Sequence, residues 1–168
     1  MEDQKINTEV LKTEIKLVND KIHFIGKAKD NEPISIDYSS PIGDGLGYTS
    51  LELFLLSLSS CVGSSLALLL RKMSKTVTGL EVKSYGVRRN QHPTSFEKIT
   101  IQIVLISNDA TKQAVERALA ISEDSICPVW AMIKHTVEVV INYSIVKTGE
   151  KEAIDWCVER ILYQDKVY

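Results

Sequence analysis

The sequence predicts an α+β fold with antiparallel sheets packed around one long central helix. Three observations carry this prediction. Leu53–Leu70, LFLLSLSSCVGSSLALLL, runs eighteen residues without a charge, the pattern of a helix apolar all round and buried in a core. Alternating apolar segments stand on both sides of it. The order of strands, long helix, strands, paired helices, strand and helix lacks the steady alternation of a parallel doubly wound sheet.

Each element has its own signal. Val10–Val18 and Ile22–Lys27 alternate, and Asn19-Asp20 between them suits a hairpin turn. Ile34-Ser35-Ile36-Asp37-Tyr38 alternates again after Pro33. The loop SSPIGDGLGY follows, with Pro41, Gly43, Gly45 and Gly47. It has neither the Gly-Lys-Ser/Thr of a phosphate loop nor the glycine spacing of the dinucleotide fingerprint, so it reads as backbone that bends sharply. Asp44 within it is a turn former. Thr49-Ser50-Leu51-Glu52 fits a capping box and starts a helix that should run from about Ser50 to about Lys75, ending before Gly79. Leu80–Arg88 and Phe96–Ile106 alternate as strands around the loop Asn90-Gln91-His92-Pro93. A second helix opens near Asn108-Asp109, with Ala114, Val115, Ala118, Leu119 and Ile121 at helical spacing. A short third helix begins at Cys127-Pro128, because proline suits the first helical position. Val137–Val146 returns to strand, and residues 150–163 are amphipathic, with Ile154, Val158, Ile161 and Leu162 apolar. The expected organisation is a main domain over residues 1–148 and a C-terminal helical extension over 149–168.

Composition excludes several classes of function. The 168 residues are 44% hydrophobic and 25% charged, with a formal net charge of −2, which is ordinary for a soluble domain and gives no field for nucleic acid. Arg88 and Arg89 form the nearest thing to a basic cluster. His23, His92 and His135 do not cluster at metal-ligand spacing, so neither a metal nor another cofactor is expected. The N-terminal MEDQKINTEV is too polar for a signal peptide, and three cysteines do not make a secreted disulfide framework. A cytoplasmic location is expected. The uncharged stretch, followed by Arg71 and Lys72, also meets the threshold for a membrane span. Its serines and the sheet-like flanks favour a core helix and no membrane.

Chemistry rests on the cysteines. Cys61 lies mid-helix among Ser57, Ser59, Ser60, Gly63, Ser64 and Ser65, while Cys127 stands at a helix start, where free backbone N–H groups favour a thiolate. Their spacing matches no CxxC pattern, so the residues alone leave open whether they meet or are two unrelated buried thiols. Cys157 on the C-terminal helix has no sequence partner, and Trp130 and Trp156 read as anchors.

GDGLGYTSLELFLLSLSSC, leading into the long apolar helix, resembles the first motif of the OsmC/Ohr superfamily of thiol-dependent hydroperoxide reductases. AISEDSICPVW resembles its second motif, and the resemblance spans roughly Ile22 to Val146. It implies an intertwined homodimer and a Cys61/Cys127 cycle. Cys61 would attack an organic hydroperoxide, Cys127 would resolve the sulfenic acid as a disulfide, and an external dithiol would reduce it. The resemblance also implies an arginine from the N-terminal half and a glutamate at the helix start. This chain has no arginine before Arg71 and has Leu51 ten residues before Cys61; Glu52, nine before, is the candidate carboxylate, with helix capping as its other role. Lys27 and Lys29 are the candidate cations, although lysine lacks the planar fork of arginine. The missing arginine leaves an alternative: a weakly catalytic protein of this fold that binds a small apolar or thiol-reactive ligand in its dimer cleft.

Overall fold

The computed structural model describes residues 9–149. The expected C-terminal extension, with Trp156 and Cys157, lies outside the described residues. The chain divides into two compact units between Phe54 and Leu55, inside the long helix, and each unit has a three-stranded sheet of its own.

In the first unit β1 (Glu14–Leu17), β2 (Phe24–Lys27) and β3 (Ile34–Ile36) form an antiparallel sheet in that order. The predicted hairpin turn is made by Asn19, whose Oδ1 accepts the backbone N–H groups of Lys21 (3.1 Å) and His23 (3.0 Å). The glycine loop is organised around Asp37, a fully buried carboxylate that the sequence reading did not single out. One of its oxygens accepts the N–H of Tyr38 at 2.8 Å, and the other accepts those of Asp44 and Leu46, both at 3.0 Å. The Leu46 N–H, followed by the others, holds this carboxyl below its ordinary range against the opposing effect of burial. Glycine is required at position 43, where a Cβ would stand 2.1 Å from the Tyr38 carbonyl oxygen and 2.2 Å from Asp37 Oδ1. The loop's donors are thus committed within the chain, Asp44 and Leu46 to the Asp37 carboxylate and Gly43 and Gly45 to the carbonyls of Ser39 and Tyr38, in keeping with a sharp bend rather than a phosphate cradle.

α1 (Ser50–Lys72) begins with the predicted capping box. Glu52 Oε2 accepts the Thr49 N–H at 2.7 Å and its hydroxyl at 2.9 Å, while Thr49 Oγ1 accepts the Glu52 N–H at 3.3 Å. The helix ends at Lys72, three residues short of expectation, and the stop is not made by Gly79. Ser74 adopts the left-handed conformation (φ 58°). The Ser74 N–H donates to Arg71 O (3.0 Å) and the Lys75 N–H to Leu70 O (2.9 Å), a Schellman closure with serine where glycine is usual.

The second unit packs α1 from Leu55 onward against the sheet β4 (Gly79–Arg88), β5 (Phe96–Ile106) and β6 (Glu138–Val146). Leu58, Val62, Leu66 and Leu70, four apart, are completely buried. Each such burial is worth roughly 1.5–3 kcal/mol. The facing strand contributes Ile99, Ile101, Ile103 and Leu105, the alternation seen in the sequence. α1 passes the length and hydropathy test for a membrane span, with a mean hydropathy of 2.1 in its most apolar window, but this fully buried row is what a core helix presents to its own domain.

Two expectations are corrected here. The second sheet is not wholly antiparallel: β4 and β5 pair antiparallel, but β5 and β6 run parallel from Lys98↔Glu138 to Ile106↔Val146. The connection over residues 107–137 carries two helices and returns the chain to the starting end, which parallel pairing requires. The second helix, α2 (Lys112–Ile121), starts at N-cap Thr111 rather than near Asp109. Asp109 is instead held by the Thr76 N–H (2.8 Å) and hydroxyl (2.6 Å), and Asn108 Oδ1 accepts the Thr148 N–H (3.0 Å).

Two outcomes follow from these local structures. Ser74→Gly removes a left-handed Cβ penalty and is expected to stabilise the protein by about 1 kcal/mol, read as a higher denaturant midpoint at unchanged slope. The lowered Asp37 pKa means that its contribution to loop stability is fully present above the unfolded carboxylate value of about 4. It is lost as pH falls through the lower folded value. Amide exchange at Asp44 and Leu46, corrected for intrinsic rate, should lose protection over that acid window, and Asp37→Asn should remove both the protection and its pH dependence.

Candidate functional site

The structure joins the two cysteines of the sequence motifs. Cys61 and Cys127 form a disulfide across 66 positions of sequence, with Cα atoms 5.8 Å apart, inside the ordinary range for such a bridge. Both lie in the second unit.

Cys61 is not sealed in the helix interior. It flanks the buried row of α1 and is half-buried, with exposed Ser57 one turn before it and exposed Ser64 one turn after. The Ser65 hydroxyl donates to the Cys61 carbonyl at 2.8 Å, and Ser59 Oγ donates to Ser84 Oγ of β4 at 2.9 Å. Gly63 brings the helix close to β4, since a Cβ there would lie 3.2 Å from Val82 Cγ2 and 3.5 Å from Leu80 Cδ2. Small residues on these two faces leave room for packing against the sheet and for an approaching chain segment.

That segment is shaped by the residues around Cys127. α2 runs directly into one π-helical turn, Ser122–Ile126, and Cys127 then breaks to extended backbone (φ −85°, ψ 103°) before α3 (Pro128–Ile133). Cys127 is the N-cap of α3. Its Sγ accepts the Trp130 N–H at 3.4 Å, and its carbonyl accepts the Ala131 N–H at 3.0 Å. Pro128 occupies the first helical turn, where its missing N–H costs nothing, and buried Trp130 anchors the helix. Cys127 is 2% exposed, so Cys61 is the more accessible residue of the pair. Cys127 stands at a helix start, as its sequence context predicts. The π turn that delivers it gave no signal in residue spacing.

The other candidates are held elsewhere. Glu52 is exposed, and its carboxylate, lowered in pKa chiefly by the Thr49 N–H, is engaged in the cap of α1. Lys29 pairs with Glu9 at 3.7 Å, and Lys27 is an exposed residue of β2. His23 Nε2 lies 2.8 Å from Ser35 Oγ. That hydroxyl already donates to Leu46 O at 2.7 Å, so it accepts from the ring. Asp44 is ion-paired with Lys21. His92 and His135 are exposed. Among the described residues no group of three or more His, Cys, Asp or Glu side chains is arranged to hold a metal ion.

Chemically, the arrangement pairs an accessible sulfur with a second sulfur whose position is fixed by backbone hydrogen bonds. Such a pair exchanges two electrons as thiols and disulfide.

The chain is similar in sequence or fold to known proteins. Protein YhfA of Escherichia coli K12 is 27% identical over 123 residues, which is 73% of this chain and 90% of that protein. The crystal structure of a hypothetical protein from Aquifex aeolicus VF5 superposes with a TM-score of 0.73 at 27% identity, covering 83% of this chain and 98% of that one. An organic hydroperoxide resistance protein OsmC from Legionella pneumophila superposes with a TM-score of 0.62 at 13% identity, covering 81% and 97%, a likeness of fold. The model of the family described as OsmC-like protein matches residues 43–142, from the glycine loop through both cysteines into β6. With more than half of its length matched, the chain belongs to the OsmC-like protein family.

Proposed function

We propose that this chain is a cysteine-based peroxidase that reduces organic hydroperoxides through a Cys61/Cys127 cycle in oxidative stress defence. The observation that carries the proposal is the pairing of a half-buried sulfur in α1 with a buried sulfur at the N-cap of α3. Family membership and neighbours of the same fold named organic hydroperoxide resistance proteins support the same chemistry in broad terms.

The cycle balances in three steps. The Cys61 thiolate attacks the outer peroxide oxygen, the O–O bond breaks, and the alkoxide leaves as alcohol after taking a proton, with Cys61 oxidised to sulfenic acid. The Cys127 sulfur then displaces the sulfenic oxygen as water and closes the disulfide. An external dithiol reduces the bridge and is itself oxidised to a disulfide. Glu52 acts in this scheme by fixing the start of the helix that carries Cys61.

A homodimer belongs to the same proposal. Between Glu52 and Arg71, α1 bears no charge, yet Leu56, Ser57, Ser60, Ser64 and Leu68 are all exposed along it. The first sheet likewise exposes Ile15, Leu17 and Ile34. An uncharged helix face of small serines and leucines is suited to a second copy of the chain, and such contact would make a dry setting for an organic peroxide. A cytoplasmic location, where the thiols begin reduced, completes the reading.

The alternative reading is ligand binding without efficient turnover. It is favoured by the lack of any arginine before Arg71 to stabilise the thiolate.

The full chain, reduced and mixed with cumene hydroperoxide, is expected to lose two thiols and gain the Cys61–Cys127 bridge by mass spectrometry. Cys61→Ser should lower peroxide consumption to the uncatalysed rate. Cys127→Ser should accumulate a dimedone-reactive sulfenic acid at Cys61. Oxidation of Cys61 no faster than Cys157 would overturn the peroxidase reading in favour of ligand binding. In sedimentation equilibrium the unmodified chain should have twice the monomer mass, and Ser60→Lys with Ser64→Lys should shift it to monomer. A monomeric unmodified chain would remove the dimer from the proposal.

A further inference from the structure

We propose that residues 150–163 dock as an amphipathic helix in the groove between α2 and β6 of their own chain. The match to the family model ends at residue 142, before this segment, and the docking is independent of the peroxide chemistry.

The groove is an incompletely covered part of the core. Among the described residues β6 is an edge strand of the second sheet. Ile141, Tyr143 and Ile145 are the register partners of Ile101, Ile103 and Leu105 on β5 and share their face of the sheet. The three β5 residues are almost completely buried, whereas their neighbours on β6 are only half-buried. α2 reaches over this row, and the Tyr143 hydroxyl donates to Glu116 Oε1 at 3.2 Å. What remains open is a groove of about 520 Å³ lined by Lys112, Glu116, Ile141, Asn142, Tyr143 and Ile145. Its apolar wall still has area to bury, at roughly 25 cal/mol per Å².

The course of the chain brings the segment to this groove. β5 and β6 end together at Ile106 and Val146, and residues 107–111 lead from β5 into the start of α2. Beyond β6 the Thr148 N–H donates to Asn108 Oδ1 at 3.0 Å, so the departing chain is held beside the loop that opens α2. Thr148 and Gly149 then form a turn, with Gly149 at φ 101°, a conformation that favours glycine. A turn at this point lets the following residues run back along β6.

The segment carries a matching pattern. Ile154, Cys157, Val158, Ile161 and Leu162 recur at helical spacing and make one apolar stripe, with Glu152, Glu159 and Arg160 on the other side. Ile154 to Leu162 spans about 12 Å of helix. The wall from Ile141 to Ile145 spans about 13 Å of strand. A second copy of the chain carries the same stripe. However, a segment joined to β6 through residues 147–149 acts at an effective concentration on the order of millimolar, which favours its own groove.

The test uses the third cysteine. With the Cys61–Cys127 bridge formed, Cys157 is the remaining thiol of the chain. Glu116→Cys adds a thiol on the groove wall, and Lys83→Cys adds one on the opposite face of the sheet. Diamide, which takes up two electrons and two protons as two thiols join, is added to each full-length variant at low protein concentration. Glu116→Cys is expected to link to Cys157 about tenfold faster than Lys83→Cys, and to keep the mass of a single chain in denaturing mass spectrometry. A linked product of twice that mass overturns the proposal in favour of a second copy, and equal or absent linkage in the two variants overturns docking altogether. A second measurement needs no new thiol. Ile154→Asp with Ile161→Asp should speed amide exchange over residues 138–146 by about tenfold and leave β4 unchanged. Unaltered exchange in β6 overturns the proposal.

Discussion

The packing of α1 on the second sheet fixes the rotation of the helix, and the placement of Cys61 depends on that rotation. Leu58, Val62, Leu66 and Leu70 form a single row that is buried to the last atom, and Gly63 lets the helix approach Val82 and Leu80 closely. Cys61 is one residue from Val62 and so turned about 100° around the axis. That angle puts the sulfur beside the buried row instead of within it. A thiol in the row would meet only aliphatic neighbours, and the low dielectric would keep it protonated. One at the margin reaches both solvent and an incoming loop. The core row thus sets the conditions of the chemistry without touching it.

Legibility in the sequence followed the range of the interactions. The capping box was readable because Thr49 and Glu52 satisfy each other within one turn. The start of α3 was readable because Cys127, Pro128 and Trp130 supply the cap, the first-turn proline and the N–H donor within four residues. Strand alternation survived because burial on one face imposes a period of two on β5. Where distant partners intervened, the local signal misled. Asn108 and Asp109 look like helix-starting residues, but their side chains are bound by Thr148 and Thr76 from across the fold. The parallel pairing of β6 depends on how the long connection returns, which alternation along the strand does not record. Ser74 ends α1 in a conformation that sequence rules assign to glycine, and Asp37 gains its role only when the glycine loop folds back on it.

The candidate site shows the same division. Each cysteine was visible with its neighbours, but their meeting belongs to tertiary structure. The resemblance to a family supplied that pairing where spacing was silent, and the geometry then supplied what the resemblance lacked. In particular, the first-unit residues considered as activating groups have local duties. Glu52 caps a helix, and Lys29 pairs with Glu9. One turn away from Cys61 in its own helix stand Ser57 and Leu58 before it and Ser64 and Ser65 after it, and the Ser65 hydroxyl donates to the Cys61 carbonyl.

The unequal settings of the two sulfurs give the proposed cycle its order. Cys127 is buried and held by the Trp130 N–H, so an organic peroxide meets Cys61 first. Once Cys61 is a sulfenic acid, it faces a choice between condensation with a thiol and further oxidation to sulfinic acid, which most thiol systems do not reverse. The outcome depends on the local concentration of the resolving thiol. A partner free in solution is limited by its bulk concentration. One held on the same framework acts at an effective concentration that reaches about 10⁵ M in well-oriented cases. The cap at α3 serves that purpose: its backbone hydrogen bonds hold Cys127 in place at a Cα separation of 5.8 Å from Cys61. Moving Cys127 away would give up this proximity. Since overoxidation requires a second encounter with peroxide, proximity protects Cys61 more effectively than a more acidic but distant partner.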